Sequence, residues 1–265
     1  MLTESVERAY LSRLQNALEV AAATVTEFLP GQFEIRDHGG RDVVTAVDRR
    51  VSEVLRSALL RPGEGWLSEE DADDRTRLSR EVVWIVDPLD GTREFVDGIP
   101  EWCISVGLTV GGIAVAGGIL NPATGERFLG TLKSGATYNG RLASPSTTTS
   151  IHGAVVLASR QEYSRGEWKQ FEGHPFSIRP TGSVAYKLAL VATGRADATW
   201  TLSPKNEWDI VAGVALAKSS GCGVSCTQDA QLIFNQENTL LPGLICSCPG
   251  MWDELLRVVL STETR

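Results

Sequence analysis

Apolar residues recur at spacings of three and four near the start of the chain, which is the period of one face of an α-helix. This pattern covers Val6–Phe28, and Pro30 is expected to end it. A second stretch with the same period, from about Val47 to Leu60, stops before Pro62. Between the two, residues 31–43 are polar and include adjacent glycines, so we expect a mobile connection.

The middle of the chain is rich in short β-branched stretches. Val82–Val86 is apolar and unbroken, as in a strand buried on both faces, and should end where carboxylates begin. Cys103–Val110 and Ile113–Leu120 flank two glycines, which is typical of a β-hairpin. Glycines over 125–140 then separate further short strands.

The second part of the chain alternates between the two kinds of element. The predicted order is strand 154–158, helix near 163–171, strand 176–178, helix 183–193, strand 196–200 and helix 207–219. Ser144–Ser150, a Ser/Thr/Pro stretch, is the predicted boundary. Residues 1–146 would form an α+β lobe with most of a metal site, and 147–265 an α/β lobe with the specificity elements.

Composition narrows the class of protein. No apolar run approaches the roughly 20 residues that cross a bilayer. The polar, acidic start is unlike a signal peptide, so a cytoplasmic protein is expected. Thirty-three acidic against 25 basic residues give a net charge of −8, which disfavours a nucleic acid polymer or a membrane surface as partner.

Five cysteines, with no C-x-x-C pair, argue against a zinc site and against a disulfide framework. Buried, reduced thiols are the expected state.

The segment most suggestive of chemistry follows the buried strand. Asp87 and Asp90 stand three residues apart around a proline, so both side chains and the Leu89 carbonyl can aim at one point. Such an all-oxygen pocket suits a hard cation. Gly91 and Thr92, at the start of a predicted helical turn, offer N–H groups to an anion. An Asp-rich turn that caps a helix would produce the same pattern.

A second acidic run lies at 69–74. Glu69, next to the apolar Trp66-Leu67, is the best ligand candidate in it. Asp71, Asp73 and Asp74 are expected to be solvated surface charges, because like charges this close repel one another.

Two further acids stand at predicted helix starts. Asp209 follows Trp208 at the beginning of an apolar helix, and Asp48 follows Thr45 at the beginning of another. Helix capping would explain either acid without a metal.

Taken together, the motifs resemble those of the inositol monophosphatase superfamily, magnesium-dependent and lithium-sensitive phosphatases. The resemblance rests on VTAVD (44–48), LSEED (67–71), WIVDPLDGTREF (84–95), NPATGERF with GATYNG (121–140) and EWDIVAG (207–213). It covers nearly the whole chain. It implies a five-layered αβαβα sandwich, usually a homodimer, that hydrolyses phosphate monoesters with two or three Mg²⁺.

The resemblance also implies roles for single residues. The metal ligands would be Glu69, Asp87, the Leu89 carbonyl, Asp90 and Asp209. Thr92, paired with Asp48, would position and help deprotonate the attacking water, and Glu69 would belong to the catalytic set. Mn²⁺ would be a possible substitute, and Ca²⁺ and Li⁺ would inhibit. Bound cations would reverse the repulsion between clustered carboxylates and a phosphate dianion.

The substrate is expected to be a small phosphorylated metabolite, held by Gly91, Thr92, Ser183, Lys187 and Asp209. The G-S-x-x-x-K arrangement at 182–187, together with Ala158-Ser159-Arg160 and the run at 204–209, is similar to the 3′(2′),5′-bisphosphate nucleotidase branch, whose substrate is 3′-phosphoadenosine 5′-phosphate. Lys187 would then hold the second phosphate, although a lysine that merely reaches water from a helix start is the alternative.

Other features leave the substrate open. Residues 198–201 lack the arginine with which that branch grips its nucleotide, and Trp200 could either stack on a base or belong to the core. The alternative is a phosphatase for inositol monophosphate or another sugar or cyclitol phosphate, including one dedicated to a biosynthetic pathway.

A non-catalytic regulatory binding protein is the alternative of another class. The complete acidic set argues against it. No P-loop occurs, and the three histidines stand in no motif, which disfavours an NTPase and a phosphohistidine intermediate.

Overall fold

The computed structural model describes residues 3–28, 40–227 and 232–262. In these ranges the α-helices are α1 Glu4–Thr26, α2 Gly40–Leu59, α3 Thr92–Val96, α4 Arg160–Ser164, α5 Val184–Ala192, α6 Glu207–Ser220 and α7 Trp252–Thr262. Short 3₁₀ turns occur at Thr76–Ser79, Glu167–Phe171 and Pro249–Met251.

Two main sheets and one short ribbon contain the strands of the described ranges. A seven-stranded sheet holds, in spatial order, β1 Gly65–Ser68, β2 Val82–Asp90, β3 Cys103–Val110, β4 Ile113–Asn121, β5 Glu126–Thr131, β6 Gly135–Tyr138 and β7 Arg141–Leu142. The other strands are β8 Val155–Ser159, β9 Ser177–Thr181, β10 Ala198–Trp200, β11 Lys205–Asn206, β12 Gly223–Cys226, β13 Leu240–Leu241 and β14 Leu244–Ser247. β12, β14, β10, β8 and β9, in that order, form the second sheet, and β11 pairs with β13.

The elements stack in five layers. α1 and α2 pack on one face of the seven-stranded sheet, and α5 and α6 lie between the two sheets. α4 and α7 cover the outer face of the second sheet. Successive side chains of β8 are buried on opposite faces of the second sheet. Leu157 faces α5, whereas Val156 and Ala158 face the outer layer. The predicted αβαβα sandwich is confirmed.

Glycines in β3 and β4 let α6 lie unusually close to the large sheet. A Cβ on Gly117 would stand 2.2 Å from the carbonyl oxygen of Ala212, and one on Gly107 would stand 2.5 Å from a methyl group of Val211. Any larger side chain would push the helix outward. The depth at which α6 sits is therefore set by missing side chains in the sheet.

Most predicted elements are present, with shifted ends. The structure corrects the strand at 82–86, because β2 continues through both acids to Asp90. It also corrects the second helix, since α2 begins at Gly40 and not near Val47. The predicted mobile connection at 31–43 lies outside the described residues as far as position 39, and its remainder belongs to α2. All five cysteines are free and buried, as predicted.

One core spans both halves of the chain. Residues of β2, β3 and β4 share a single apolar cluster with α5, α6 and β14. The division at 146/147 stays a prediction, with 144–149 forming an irregular connection. None of the helices in the described ranges has the length and apolar character to cross a bilayer.

Candidate active site

A β-bulge in β2 turns Asp87 and Asp90 toward the same side of the sheet. In a regular strand, residues three apart point to opposite faces. Here the register shifts, so that Asp87 lies opposite Ser105 and Asp90 opposite Cys103. Three steps along β2 match two along β3, and the extra residue restores a common direction. Pro88 is tolerated here because a residue in a bulge need not donate an N–H to the neighbouring strand.

Glu69, Asp87 and Asp209 form an acid cluster, in which one carboxylate oxygen of each residue lies within 4.8 Å of the others. Glu69 directly follows β1, and its N–H donates to the Val86 carbonyl at 3.3 Å. Asp209 lies in the first turn of α6, which packs on β2 and β3. Asp87 is buried, whereas Glu69 stands at the open mouth of the site. The structure thus brings together three acids from distant motifs.

The acids raise one another's pKa. Removal from water by the surrounding protein, followed by the charges of Asp90 and Glu70, raises the pKa of Glu69 to about 7. Burial and the charge of Asp90 likewise raise the pKa of Asp209 to about 7. The pKa of Asp87 lies well above its ordinary value, because of burial and then the neighbouring acids. A divalent cation would relieve this repulsion, and the all-oxygen donor set fits Mg²⁺.

Helix capping explains Asp209 only in part and does not explain Asp48. Asn206 is the N-cap of α6, and its backbone N–H donates to Asp209 Oδ2 at 2.9 Å, so Asp209 is the third residue of the helix. Asp48 lies well inside α2. Burial and the charges of Glu70 and Glu69 raise the pKa of Asp48 to about 8, which places it within the field of the acid cluster.

Leu89 lies within the bulge, Gly91 and Thr92 follow it, and all three line the same pocket. The Thr92 hydroxyl donates to the Leu89 carbonyl at 3.2 Å, and the Leu89 N–H donates to Asp87 Oδ1 at 3.0 Å. Gly91 has φ +96°, a left-handed conformation that favours glycine, and it precedes the five-residue helix α3. The predicted carbonyl ligand and the predicted catalytic hydroxyl are therefore in contact. Pairing of Thr92 with Asp48 stays a prediction.

Asp90 lies beside the acid cluster and is held by the start of α5. Its Oδ2 accepts the Ser183 hydroxyl at 2.6 Å and the Ala185 N–H at 2.7 Å. The same hydroxyl accepts the Tyr186 N–H at 3.0 Å. Ser183, predicted to contact substrate phosphate, thus directs its hydroxyl hydrogen at a carboxylate of the site. Its φ of +50° is rare for a residue with a side chain and typical of functional sites.

Cations also line the pocket. Lys187 is 3% exposed, and its Nζ donates to the carbonyls of Ser183 at 3.0 Å and Thr181 at 3.3 Å. Burial lowers the pKa of Lys187 to about 8. A lysine that reaches out to bulk water is therefore excluded. The cavity measures about 290 Å³, and its other cationic lining residues are Arg93, Arg160 and Lys205.

Glu101 was not predicted from the sequence, and Arg160 and Lys205 entered only as members of the segments that resemble the nucleotidase branch. Arg160 donates through Nη2 to Glu101 Oε2 at 2.5 Å, and that oxygen also accepts the Gly182 N–H at 2.8 Å. Arg160 directly follows β8, which runs parallel to both neighbours. The carboxyl ends of parallel strands are common binding positions, so this location was an available signal.

Two other expectations need correction, and the alternatives left open for Trp200 are decided. Asp71 and Asp73 are not simply solvated, because Asp71 accepts the Trp66 Nε1–H at 2.5 Å and Asp73 pairs with the buried Arg77. Trp200 belongs to the outer core. It is fully buried, with its ring 4.6 Å from that of Trp168. It cannot stack on a nucleotide base in this arrangement.

Comparison with known proteins agrees with this geometry. A family model described as the inositol monophosphatase family matches residues 7–261. A protein of Mycobacterium tuberculosis named inositol-1-monophosphatase SuhB is 34% identical, over 92% of each chain. An inositol monophosphatase of Mesembryanthemum crystallinum is 32% identical, over 80% of this chain and 83% of its own.

Solved structures share the whole fold. The extragenic suppressor protein suhB of Bartonella henselae superposes with a TM-score of 0.78 at 27% identity, covering 95% of this chain and 99% of its own.

Proposed function

The chain belongs to the inositol monophosphatase family and is a phosphoric monoester hydrolase, and we propose that its substrate is a small metabolite carrying a second negatively charged group besides the scissile phosphate. The observation that carries the proposal is the buried Lys187, which lines the pocket with Lys205. 3′-Phosphoadenosine 5′-phosphate is the representative substrate of this class.

Phosphatases of this family depend on a metal, generally Mg²⁺. We propose Glu69, Asp87, the Leu89 carbonyl, Asp90 and Asp209 as its ligands. Their oxygens match the preference of Mg²⁺, and their mutual repulsion supports two or three divalent ions. When bound, the ions supply positive charge at the phosphate and lower the pKa of water.

The protein groups position the reactants around this charge. Thr92 and Asp48 are the proposed pair that orients the attacking water. The pKa of Asp48 is raised to about 8 in the metal-free protein, and bound cations would offset the charges of Glu69 and Glu70 and leave Asp48 able to accept a proton. Glu69, which is also a proposed metal ligand, belongs to the same proposed catalytic set. Gly91 and Thr92 would contact the transferred phosphoryl group, since both line the cavity.

A buried ammonium needs compensation. Lys187 spends two N–H groups on carbonyls, which leaves one donor of the three for the cavity. The pKa of about 8 keeps it mostly protonated at neutral pH. Asp90, Glu94 and Glu162 already act on this charge. An anionic group of the substrate would use the remaining donor, which is the physical basis for a second phosphate or carboxylate.

Inositol monophosphate is the second candidate. It is favoured by the names of the two relatives described above, and by Trp200, whose burial removes the aromatic platform expected for a nucleotide base. With this substrate the second anion is absent, and Lys187 would have to contact hydroxyl groups.

One substrate panel separates the candidates. We would compare kcat/KM for 3′-phosphoadenosine 5′-phosphate, inositol 1-phosphate and fructose 1,6-bisphosphate in wild type, Lys187→Met and Lys218→Met. Lys218 is a half-buried lysine in the last turn of α6 and does not line the cavity, so it is the matched control. The proposal requires a preference for a bisphosphate that Lys187→Met abolishes and Lys218→Met preserves. A preference for inositol 1-phosphate that is unchanged in Lys187→Met would reject it.

The same assay tests the metal dependence. Mn²⁺ should replace Mg²⁺, whereas Ca²⁺ and Li⁺ should inhibit. A lack of metal-dependent phosphate release on every ester would favour the non-catalytic alternative. We also propose a homodimer, for which light scattering on the purified chain is the direct measurement.

A further inference from the structure

Arg77 is a buried guanidinium outside every motif discussed above. It lies in the 3₁₀ turn Thr76–Ser79 and is 1% exposed. Its Nη2 donates to Asp73 Oδ2 at 2.7 Å and to the Gln236 carbonyl at 3.0 Å, and its Nη1 donates to Asn235 Oδ1 at 2.8 Å. Its Nε also reaches Asp73, at 3.1 Å. A buried charge bonded on several sides has a fixed position.

The Asn235-Gln236 turn is held from its other side by Glu207. The two carboxylate oxygens of Glu207 accept the N–H groups of Asn235 at 2.6 Å and Gln236 at 2.8 Å. Glu207 is fully buried and is the first residue of α6, two positions before Asp209. The turn therefore bridges Arg77 to the helix that presents Asp209.

The opposite end of this network reaches the loop that presents Glu69. Asp73 follows Glu69 by four residues, and between them Asp71 is fixed by Trp66 Nε1 at 2.5 Å and Ser52 Oγ at 3.4 Å. The segment after β1 is thus anchored at Asp71 and again at Asp73. Glu69 is the exposed member of the acid cluster. Its own N–H is bonded to the Val86 carbonyl, and beyond it the segment is held by these side chains.

We propose that Arg77 is a positioning residue of the acid cluster. Through Asp73 on one side and Asn235, Gln236 and Glu207 on the other, it sets the separation between Glu69 and Asp209. The inference rests on the proposed function in one respect, namely that the cluster is where Mg²⁺ binds.

Repulsion among the acids gives this restraint its effect. Without the network, the Glu69 loop and the start of α6 can move apart and relieve the repulsion. Mg²⁺ would then have to draw them together again, and that work would reduce its affinity. Partners that orient metal ligands commonly change affinity by about 10-fold to 100-fold. We expect weaker Mg²⁺ binding, by about 10-fold or more, in a protein that remains folded.

The test is calorimetric titration of EDTA-treated protein with Mg²⁺, well below the thermal midpoint. The variants are Arg77→Met, Arg77→Lys and the milder Asp73→Asn, with Arg13→Met as control. Arg13, a residue of α1, is another partly buried arginine, bonded to both oxygens of Glu64 at 2.6 and 2.9 Å. Arg13→Met should lower the midpoint of the metal-free protein yet leave Mg²⁺ affinity unchanged. Arg77→Lys should fall between wild type and Arg77→Met, because lysine keeps the charge without the planar fork.

A double-mutant cycle with Glu207→Gln examines the path itself. If Arg77 and Glu207 act through one turn, the double variant should lose less affinity than the product of the two single losses. The inference is overturned if folded Arg77→Met and Asp73→Asn bind Mg²⁺ within twofold of wild type, or if Arg13→Met weakens binding equally. Wild-type protein that binds no Mg²⁺ would instead overturn the proposed metal function.

Discussion

Ser183 donates its hydroxyl hydrogen to Asp90 Oδ2 over 2.6 Å, which joins the bulged strand β2 to the start of α5. The Ser183 carbonyl in turn accepts a hydrogen bond from the Lys187 ammonium at 3.0 Å. One serine therefore links an acid of the proposed metal site to the cation of the proposed second-anion site. Changes at either position are expected to be felt at the other.

Ser183→Ala tests this link. The variant removes one of the two donors to Asp90 Oδ2, so we expect kcat/KM to fall by about 10-fold to 100-fold, with a stability loss of about 1 kcal/mol. Steady-state kinetics and thermal unfolding check both values. Ser177→Ala is the control. Ser177 lies on the edge strand β9, where its hydroxyl donates to the Ala154 carbonyl, and its loss should leave wild-type kinetics. If Ser183→Ala also keeps wild-type kinetics, Ser183 does not support the site.

Asp90→Asn should abolish phosphate release and leave the fold intact. An asparagine oxygen can still accept from Ser183 and Ala185, but it lacks the charge. Burial raises the pKa of Asp90 in the folded protein, so removing the carboxylate should also raise the thermal midpoint of the metal-free enzyme. For a chain of this size, each kcal/mol gained in the free energy of unfolding raises the thermal midpoint by about 2–4 °C. Near-wild-type turnover in this variant would exclude Asp90 from the metal site.

The metal-free protein should lose stability as the pH rises from about 5 to 8. Burial and neighbouring acids raise the pKa of Asp48 to about 8 and those of Glu69 and Asp209 to about 7. A carboxyl group whose pKa is higher in the folded state holds its proton more tightly there. Its contribution is complete below the unfolded value near 4 and disappears as the pH passes the folded value.

We expect a loss of several kcal/mol across this range, carried by Asp48 and Asp209, with a small share from Glu69 because its side chain is exposed. Denaturant titrations with EDTA at several pH values provide the measurement. Saturating Mg²⁺ should flatten or reverse the trend, because it binds the deprotonated carboxylates. Lys187, with its pKa lowered to about 8, acts in the opposite direction but only above this range. A stability that rises with pH in EDTA would contradict the electrostatic description of the site.

Trp200→Phe should destabilise the protein without changing which substrate it prefers. The indole packs on Trp168 and Phe171 in the outer core, so the smaller ring costs about 2 kcal/mol. The ratio of kcat/KM between 3′-phosphoadenosine 5′-phosphate and inositol 1-phosphate should stay the same. A ratio that moves selectively against the nucleotide would place Trp200 at the substrate after all.

Local patterns were enough to predict the acids of the site. Asp87 and Asp90 stand next to a buried strand in the sequence, and an apolar run predicts the helix that carries Asp209. The bulge that aims the first two could not be predicted, because it is defined by register against β3. Helix starts misled the interpretation of Asp48, since α2 begins earlier than its apolar periodicity.

Residues that act through tertiary contacts were missed for a physical reason. Arg77 and Asn235 are 158 positions apart, and nothing in their local sequence distinguishes Arg77 from a surface arginine. Trp200 was ambiguous in the same way, because a strand-end aromatic can face either a ligand or the core. Only the packing of the outer layer decides between the two.

The glycines beneath α6 suggest how the choice of cation could be altered without touching a ligand. Gly117 and Gly107 fix how deeply the helix settles on the sheet, and Asp209 travels with that helix. Adding a single methyl group at Gly107 would lift one wall of the acid cluster while every donor atom is retained. Re-engineering toward a larger ion such as Ca²⁺ would therefore begin in the floor of the sheet, well away from the carboxylates themselves.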